Sequence, residues 1–229
     1  MDDLFSPRGL SGQTLTRSDL VPLTGGAPQV VTDCDLEEAD LSGLDLTGWR
    51  FEHCNLRKAD CSGTKLEGSV WQSCRAPFIS FVGANLSEAA FAGGDFNNSV
   101  WRRATLTSTK FVGTKLTGAD FSEARAMHIH FEEVLLVSAK LPGFSFRKES
   151  LRRVDLSGAD LRKGDFRMTV FEECSLREAM VAGSRFEGSD LRGADLGGLR
   201  LDDANLFRGA TISREQAGQL LGELGLSVR

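Results

Sequence analysis

The sequence predicts an all-β solenoid closed by a short C-terminal α-helix, and three observations carry that expectation. From Leu36 to Leu206 every fifth residue is apolar, at 35 consecutive positions, and 31 of these are Leu, Phe or Trp. Two residues before each stands a second series, 26 of whose 35 members are Ala, Gly, Ser, Thr or Cys. Glycine recurs two residues after the large residue, at 14 places that include Gly43, Gly48, Gly63, Gly68, Gly188, Gly193 and Gly198. A period of five fits neither a helix, which repeats near about 3.6, nor a strand, which repeats near about 2. The chain must therefore turn once per repeat. With the large residue called i, positions i−2 and i share the inner face of a very short extended segment, and the turn falls at i+1 and i+2, where glycine meets the backbone angles of a tight bend.

The spacing of like residues gives the size of a coil. Cys34, Cys54 and Cys74 recur once every four repeats, as do Phe51, Trp71, Phe91, Phe111 and Phe131, with Phe171 following after Leu151. Four repeats per coil stack identical side chains into ladders. Nearly nine coils at about 4.8 Å each make a rod roughly 40 Å long.

Taken in order, residues 1–20 read as a degenerate first coil or N-terminal cap. Phe5, Leu10, Leu15 and Leu20 keep the fivefold spacing one residue out of phase, over poor interior residues (Asp3, Arg8, Gln13, Ser18). A Gly/Pro loop at 21–31, containing Thr24, Gly25 and Gly26, absorbs the phase change. The solenoid occupies 32–210. Strain is expected at Ala76-Pro77, at Ala126-Met127-His128-Ile129-His130, at Leu141-Pro142-Gly143-Phe144, and at Trp49 and Phe144, whose side chains are large for position i−2. It is also expected at Glu149, a carboxylate at an inward position that calls for a bulge or an arginine partner. Residues 211–229 form a capping or dimerisation helix. Ser213-Arg214-Glu215-Gln216 has the form of a capping box, Ala217, Leu220, Leu221 and Leu224 follow at helical spacing, Gly225 is a C-cap, and Leu226 and Val228 extend the apolar surface. An open solenoid end needs a cover, and the same segment can pair two chains.

The repeats Ala39-Asp40-Leu41-Ser42-Gly43, Ala84-Asn85-Leu86, Ala119-Asp120-Phe121, Ala159-Asp160-Leu161, Ala194-Asp195-Leu196 and Ala204-Asn205-Leu206 carry the A-(D/N)-L-x-x signature. By these motifs, over about three quarters of its length, the chain resembles the pentapeptide-repeat family. The resemblance implies a right-handed quadrilateral β-helix with i and i−2 inward. It also points toward the family's topoisomerase-protecting members of the Qnr, MfpA and AlbG type, and residues 219–228 resemble the Leu-rich C-terminal tail of the Qnr proteins. Such members are thought to engage DNA gyrase through a DNA-like rod.

Composition limits the chemistry. With 229 residues and a net charge of −5, the chain shows no transmembrane stretch and no secretory signal, and a cytoplasmic protein without membrane or direct nucleic-acid binding is expected. The five cysteines form no C-x-x-C pair and read as buried reduced thiols. No phosphate loop, dinucleotide motif, zinc motif or nucleophile elbow occurs, Ser62 and Lys65 of Ser62-Gly63-Thr64-Lys65 lie on outward positions, and His128 and His130 fall around a corner from each other, so neither enzyme nor cofactor nor metal is expected.

Asp or Asn at i−1, from Asp35 to Asn205, has two readings: a local turn stabiliser, or rows of carboxylates imitating phosphates. A duplex carries one charge per about 1.7 Å of axis, so a rod of this length would need roughly 25; only a patch qualifies. Residues 1–60 hold 11 acidic and 5 basic residues, and Asp33, Asp35, Glu37, Glu38, Asp40 and Asp45 cluster beside the 21–31 loop. These, with Thr24, Gly25 and Gly26, are the candidate contact with gyrase; Leu220, Leu221, Leu224, Leu226 and Val228 are the candidate homodimer or cap contact. Glu132, Arg152, Glu172 and Arg192 at i+1, and Glu133, Arg153 and Glu173 at i+2, read as an alternating ion ladder, and Arg147, Lys148, Arg152, Arg153, Arg162, Lys163 and Arg167 as a basic patch for an acidic partner. The alternative function is a rigid protein-interaction scaffold with no topoisomerase target.

Overall fold

The computed structural model describes residues 10–199, 201–223 and 225–227. The chain winds into a parallel β-solenoid. Strands β1 (Leu10–Ser11), β2 (Val30–Thr32), β3 (Arg50–Glu52), β4 (Val70–Gln72), β5 (Ala90–Ala92), β6 (Lys110–Val112), β7 (His130–Glu132), β8 (Ser150–Arg152) and β9 (Val170–Glu172) lie side by side in that order in one nine-stranded sheet. The register is one coil of four repeats: Phe51 pairs with Trp71, Trp71 with Phe91, and Phe91 with Phe111. Three further faces keep the same step through Asp35↔Asn55, Asp40↔Asp60 and Asp45↔Lys65. The solenoid is therefore four-sided. A short pair on the second face, β10 (Cys174–Ser175) with β11 (Ala194–Asp195), continues it.

The turn explains the fivefold rule. Residue i+2 adopts the left-handed conformation along most of the rod, Gly193 being an exception, and 20 of the described residues in that conformation are not glycine, from Asp33 (φ 53) to Glu178 (φ 56). On three faces the N–H of i+3 donates to the carbonyl of i, as from Leu44 to Leu41 at 3.3 Å and from Ala59 to Leu56 at 3.0 Å. This is the pattern of a type II turn. Pro77 sits at i+1 of such a turn, with Phe78 at φ 63 and Ile79 donating to Ala76 at 3.3 Å. Proline's fixed φ suits that position, so the expected strain at Ala76-Pro77 is absent.

The interior is filled by columns of rings. Phe51, Trp71, Phe91, Phe111 and Phe131 stack with centroids 4.3, 5.5, 4.8 and 5.1 Å apart, and Phe81, Trp101 and Phe121 make a second column at 4.4 and 5.4 Å. The small side chains at i−2 have two tasks. They make room: a Cβ on Gly94 would meet the Cys74 carbonyl oxygen at 2.5 Å. They also satisfy polar atoms: Ser69 and Ser99 accept from the indole N–H of Trp71 and Trp101 at 2.9 and 2.6 Å. Cys34, Cys54, Cys61, Cys74 and Cys174 are free and buried, and burial pushes the Cys61 and Cys174 thiols up.

At the N-terminal end Leu10 pairs with Val31, a step of 21 rather than 20 that carries the one-residue phase shift. Leu15 and Leu20 are buried, the latter in α1 (Arg17–Leu20). Phe5, Asp3 and Arg8 lie outside the described residues. Segment 21–31 is only partly a loop: Val21–Leu23 forms a 3-10 turn and β2 begins at Val30. At the other end, Leu201–Phe207 is a 3-10 turn where the fivefold spacing calls for more coil. Phe186 and Leu191 still donate to Leu206 and Thr211 at 3.0 and 2.9 Å, so this turn closes the stack before α2 (Arg214–Glu223).

The largest departure from the regular stack lies mid-rod. Backbone rungs run from Leu106 to Arg125 and from Ser108 to Met127 below it, and from Phe146 to Asp165 and Lys148 to Arg167 above it. Between these coils, the equivalent bonds from Glu123 to Pro142, Ser145 to Ala124, Ala126 to Ser145, His128 to Arg147 and Ser150 to Ile129 are not formed, and β7 meets β8 only at Glu132↔Arg152. The cause is a volume mismatch. Phe144 and Phe146 on the upper coil lie one step above Ala124 and Ala126, and the Phe144 ring lies against Phe121 at 5.8 Å. Trp49, also large at i−2, breaks no rung: Val70 donates to its carbonyl at 2.9 Å, and the incomplete coil beneath leaves it room. Glu149 turns outward instead of inward, with His128 Nδ1 at 4.0 Å as its neighbour rather than an arginine.

Candidate functional site

Because i and i−2 fill the interior, only i−1, i+1 and i+2 are available for recognition. The six clustered carboxylates occupy such positions on the first complete coil, and they do not form a row. Asp35 and Glu37 lie on the second face, Asp40 on the third and Asp45 on the fourth, while Asp33 and Glu38 stand at corners in left-handed conformation (φ 53 and 56). The positions stacked above them are His53, Asn55, Arg57, Lys58, Asp60 and Lys65. Only Asp40 over Asp60 continues a carboxylate column.

Each carboxylate also has a partner. Glu37 receives Arg57 at 2.6 Å and Asn55 at 3.0 Å, Glu38 receives Lys58 at 2.7 Å, and Asp45 receives Lys65 at 3.1 Å. Asp40 receives Arg17 at 3.3 Å, Asp35 receives Asn55 at 2.9 Å, and His53 lies 4.0 Å from Asp33. Hydrogen bonds from Asn55 and then Arg57 hold the Glu37 carboxyl below its ordinary range. The Ser42 hydroxyl does the same for Asp40, and Thr47 with Lys65 for Asp45. Four cations thus stand against six carboxylates, so most of the girdle's negative charge is offset.

The i−1 acids settle into a local task. Of the fourteen Asp or Asn residues at i−1, thirteen accept the backbone N–H two residues on, at 2.9 to 3.3 Å. Asn205, in the 3-10 turn, is the other. These are Asx turns that support the corner.

Thr24, Gly25 and Gly26 follow the 3-10 turn. The Thr24 hydroxyl donates to the Val21 carbonyl at 2.8 Å and Gly25 has φ 78. The same loop brings Pro28 against Gly48, where a Cβ would come within 3.1 Å of it. The loop packs under the fourth face, the side that carries Asp45 and lies opposite the face of Asp35 and Glu37.

The expected ion ladder forms over one step only. Arg152 reaches Glu132 at 3.4 Å, and Arg153 reaches Glu132 at 3.7 Å and also Glu133. Arg192 instead folds back on Asp190 of its own turn at 2.6 Å, as Arg162 does on Asp160 at 2.7 Å and Arg167 on Asp165 at 2.6 Å. An arginine at i+1 reaches the i−1 carboxylate in its own repeat more readily than one a coil away. Of the expected basic patch, Arg147, Lys148 and Lys163 keep no carboxylate within 4.0 Å among the described residues. His128 and His130 face different carboxylates, Glu149 at 4.0 Å and Glu132 at 3.6 Å. The groove beside His128, lined by Met127, Ser145, Arg147 and Glu149, was not legible as a surface. Its signal is the pair of residues of wrong size, Ala126 at i and Phe144 at i−2.

At the C-terminal end the capping box is formed. Ser213 N–H donates to Gln216 Oε1 at 2.7 Å, and Gln216 N–H to Ser213 Oγ at 3.1 Å. The Gln216 amide then donates to the Leu191 and Ala194 carbonyls at 2.7 and 2.6 Å, fastening α2 across the last coil. Leu220 is buried there over a 130 Å³ apolar cavity with Leu191, Leu196, Leu199 and Phe207. Leu221 and Leu226 are 36% and 56% exposed. Leu224 and Val228 lie outside the described residues. No described helix is long and apolar enough to cross a membrane.

A family model described as pentapeptide repeat region matches residues 44–121, and one described as pentapeptide repeats (8 copies) matches 129–167 and 169–206. No curated protein sequence matches the chain. Among solved structures, the trypsin-treated M102R form of QnrB1, a plasmid-mediated fluoroquinolone resistance protein, is similar at 19% identity over 96% of this chain and 98% of that one, with a TM-score of 0.64. Full-length QnrB1 gives 19%, 95%, 97% and 0.62. HetL, involved in heterocyst differentiation regulation in the cyanobacterium Nostoc sp. strain PCC 7120, gives 20%, 83%, 87% and 0.58. At these identities the likeness establishes the fold.

Proposed function

We propose that this chain, which belongs to the pentapeptide-repeat family, is a non-enzymatic binding rod whose partner is a bacterial type II topoisomerase, gyrase or topoisomerase IV, and that it protects that enzyme from quinolones or peptide poisons. The observation that carries the reading is the end-to-end likeness to QnrB1, over 96% of this chain and 98% of that one, in a solenoid whose interior is packed with side chains. Among the described residues the interior is filled by side chains apart from the small apolar cavity under Leu220, which has no polar group to orient a substrate, so binding falls to the outer surface. The rod docks where DNA normally lies and destabilises the drug-trapped complex, without a cofactor, a covalent step or direct contact with nucleic acid. The girdle of Asp33, Asp35, Glu37, Glu38, Asp40 and Asp45 with Thr24, Gly25 and Gly26 makes the contact. The exposed Leu221 and Leu226, with Leu224 and Val228, pair two copies, and the protein works in the cytoplasm.

The alternative, an interaction scaffold with no topoisomerase target, is favoured by one specific observation: the girdle carboxylates are already paired. Gyrase supercoiling with ciprofloxacin or albicidin, titrated with the purified protein, separates the two. Recovered supercoiling at low micromolar protein supports protection. Neither recovery nor inhibition at any concentration removes those poisons from the proposal and leaves the scaffold.

A further inference from the structure

The broken rungs between the coils of Ala126 and Ser145 make a slit in the middle of the ladder. It is lined by Ala126, Met127 and His128 below and by Ser145, Arg147 and Glu149 above, with Arg125 and Lys148 their immediate neighbours in the chain. The amides of Ala126, His128, Ser145 and Ser150 have no backbone acceptor there. The family models match 44–121, 129–167 and 169–206, and the longest stretch they skip between 44 and 206, residues 122–128, falls on the lower lip.

The chemistry of the slit is that of a donor-rich, cationic seat. Among the described residues Arg125, Arg147 and Lys148 have no carboxylate within 4.0 Å, whereas Arg152, Arg153, Arg162 and Arg167 nearby are all paired. Met127, 63% exposed, adds an apolar contact beside them. Unpaired N–H groups together with free guanidinium and ammonium groups call for an anionic, acceptor-rich occupant. Glu149, beside His128 at the mouth, and Glu123 at the far corner space the positive charge out, and the chain carries a net charge of −5. A polyanion such as nucleic acid would meet both carboxylates; a peptide with carboxylates at intervals need not. We propose that the slit is the docking site for an acidic extended segment of a partner protein, its backbone and carboxylates taking the free amides in the manner of strand addition. This stands apart from the topoisomerase reading, since neither the acidic girdle nor α2 takes part.

The test uses the full chain and a short fluorescein-labelled peptide of alternating Glu and Val, followed by anisotropy, with an alternating Lys and Val peptide and a single-stranded oligonucleotide as competitors. The acidic peptide is expected to bind in a salt-dependent way and to slow amide exchange at Ala126, His128 and Ser145. Arg147→Glu with Lys148→Glu should weaken binding by at least about tenfold, while Lys163→Glu, a free cation away from the slit, should not. Ala126→Leu with Phe144→Ala restores consensus volumes, closes the rungs and should abolish binding. If that variant does not fold, the charge reversals decide. The proposal is overturned if the acidic peptide does not bind, if Lys163→Glu costs as much as the slit reversals, or if the Lys peptide or the oligonucleotide binds more tightly.

Discussion

Arg57 reaches back one coil to place its guanidinium 2.6 Å from the carboxylate of Glu37, and Lys58 does the same for Glu38 at 2.7 Å. Both pairs are solvent-exposed, so each adds little to stability, yet together they cancel charge where a DNA-like surface would need it. Removing the cations tests what the carboxylates are for. With the girdle as the topoisomerase contact, Arg57→Gln with Lys58→Gln should protect supercoiling at several-fold lower protein concentration, most clearly at low salt. Unchanged protection in an active wild-type background would move the contact elsewhere on the rod.

Acid should loosen the fold. Asp19, Glu37, Asp40, Asp45, Asp120, Asp160, Asp165 and Asp190 all have carboxyls held below their ordinary values, chiefly by side-chain hydrogen bonds from Thr16, Asn55, Ser42, Thr47, Arg162, Arg167 and Arg192, with Asp120 offsetting its burial through Ser122 and Lys140. A depressed folded value gives stability that is full above the unfolded value, near about 4, and is lost as pH falls through the folded values. Thermal midpoints should hold from neutral pH to about 5 and then drop steadily. A flat profile down to strong acid would contradict these bonds.

Thr114 is the one described buried side chain whose oxygen finds no partner. Its counterparts Thr64, Thr109 and Thr169 each donate to a carbonyl of the preceding coil, at 2.9, 2.8 and 2.6 Å. Above it, the same column continues with Val134 and Val154, both fully buried. Thr114→Val keeps the shape and removes an unsatisfied hydroxyl. It should stabilise the protein by about 1 kcal/mol, and raise the thermal midpoint by roughly 2–4 °C. A lower midpoint would mean that the hydroxyl is satisfied in solution.

The architecture was legible in the sequence because a period of five leaves one solution: two inward positions, three outward, one turn. Phe144 and Ala126 were legible too, as residues of the wrong size, but not what they do together. The slit needs both of them one coil apart, and stacking on that scale is not visible along the chain. Charge pairing was the least legible feature. The coil spacing foresaw Arg152 on Glu132, but Arg192, Arg162 and Arg167 found nearer carboxylates in their own turns. The acidic cluster looked free only because most of its partners lie a full coil further along the chain.

Phe78 holds φ 63 with its ring 52% exposed. The left-handed region costs an L-residue roughly 1–2 kcal/mol, and glycine avoids most of that while adding entropy to the unfolded chain. Phe78→Gly, which gives up little packing, should raise stability by about 0.5 kcal/mol in urea unfolding. A loss of similar size would show that the ring contributes packing that its exposure conceals.

Ser69 and Trp71 test whether the small side chains at i−2 are more than spacers. The indole N–H of Trp71 donates to Ser69 Oγ at 2.9 Å, both residues are fully buried, and the ring stacks between Phe51 and Phe91 at 4.3 and 5.5 Å. Ser69→Ala keeps the volume low but strands the indole N–H away from water, at a cost of about 1–3 kcal/mol. Trp71→Phe removes both the donor and ring area and should cost more by itself, through the cavity it leaves. With Phe at 71 no donor remains to strand, so adding Ser69→Ala should then cost much less than it does beside Trp71. Denaturant unfolding of the two single variants and the double variant gives the coupling directly. Additive losses would mean that Ser69 acts only by being small.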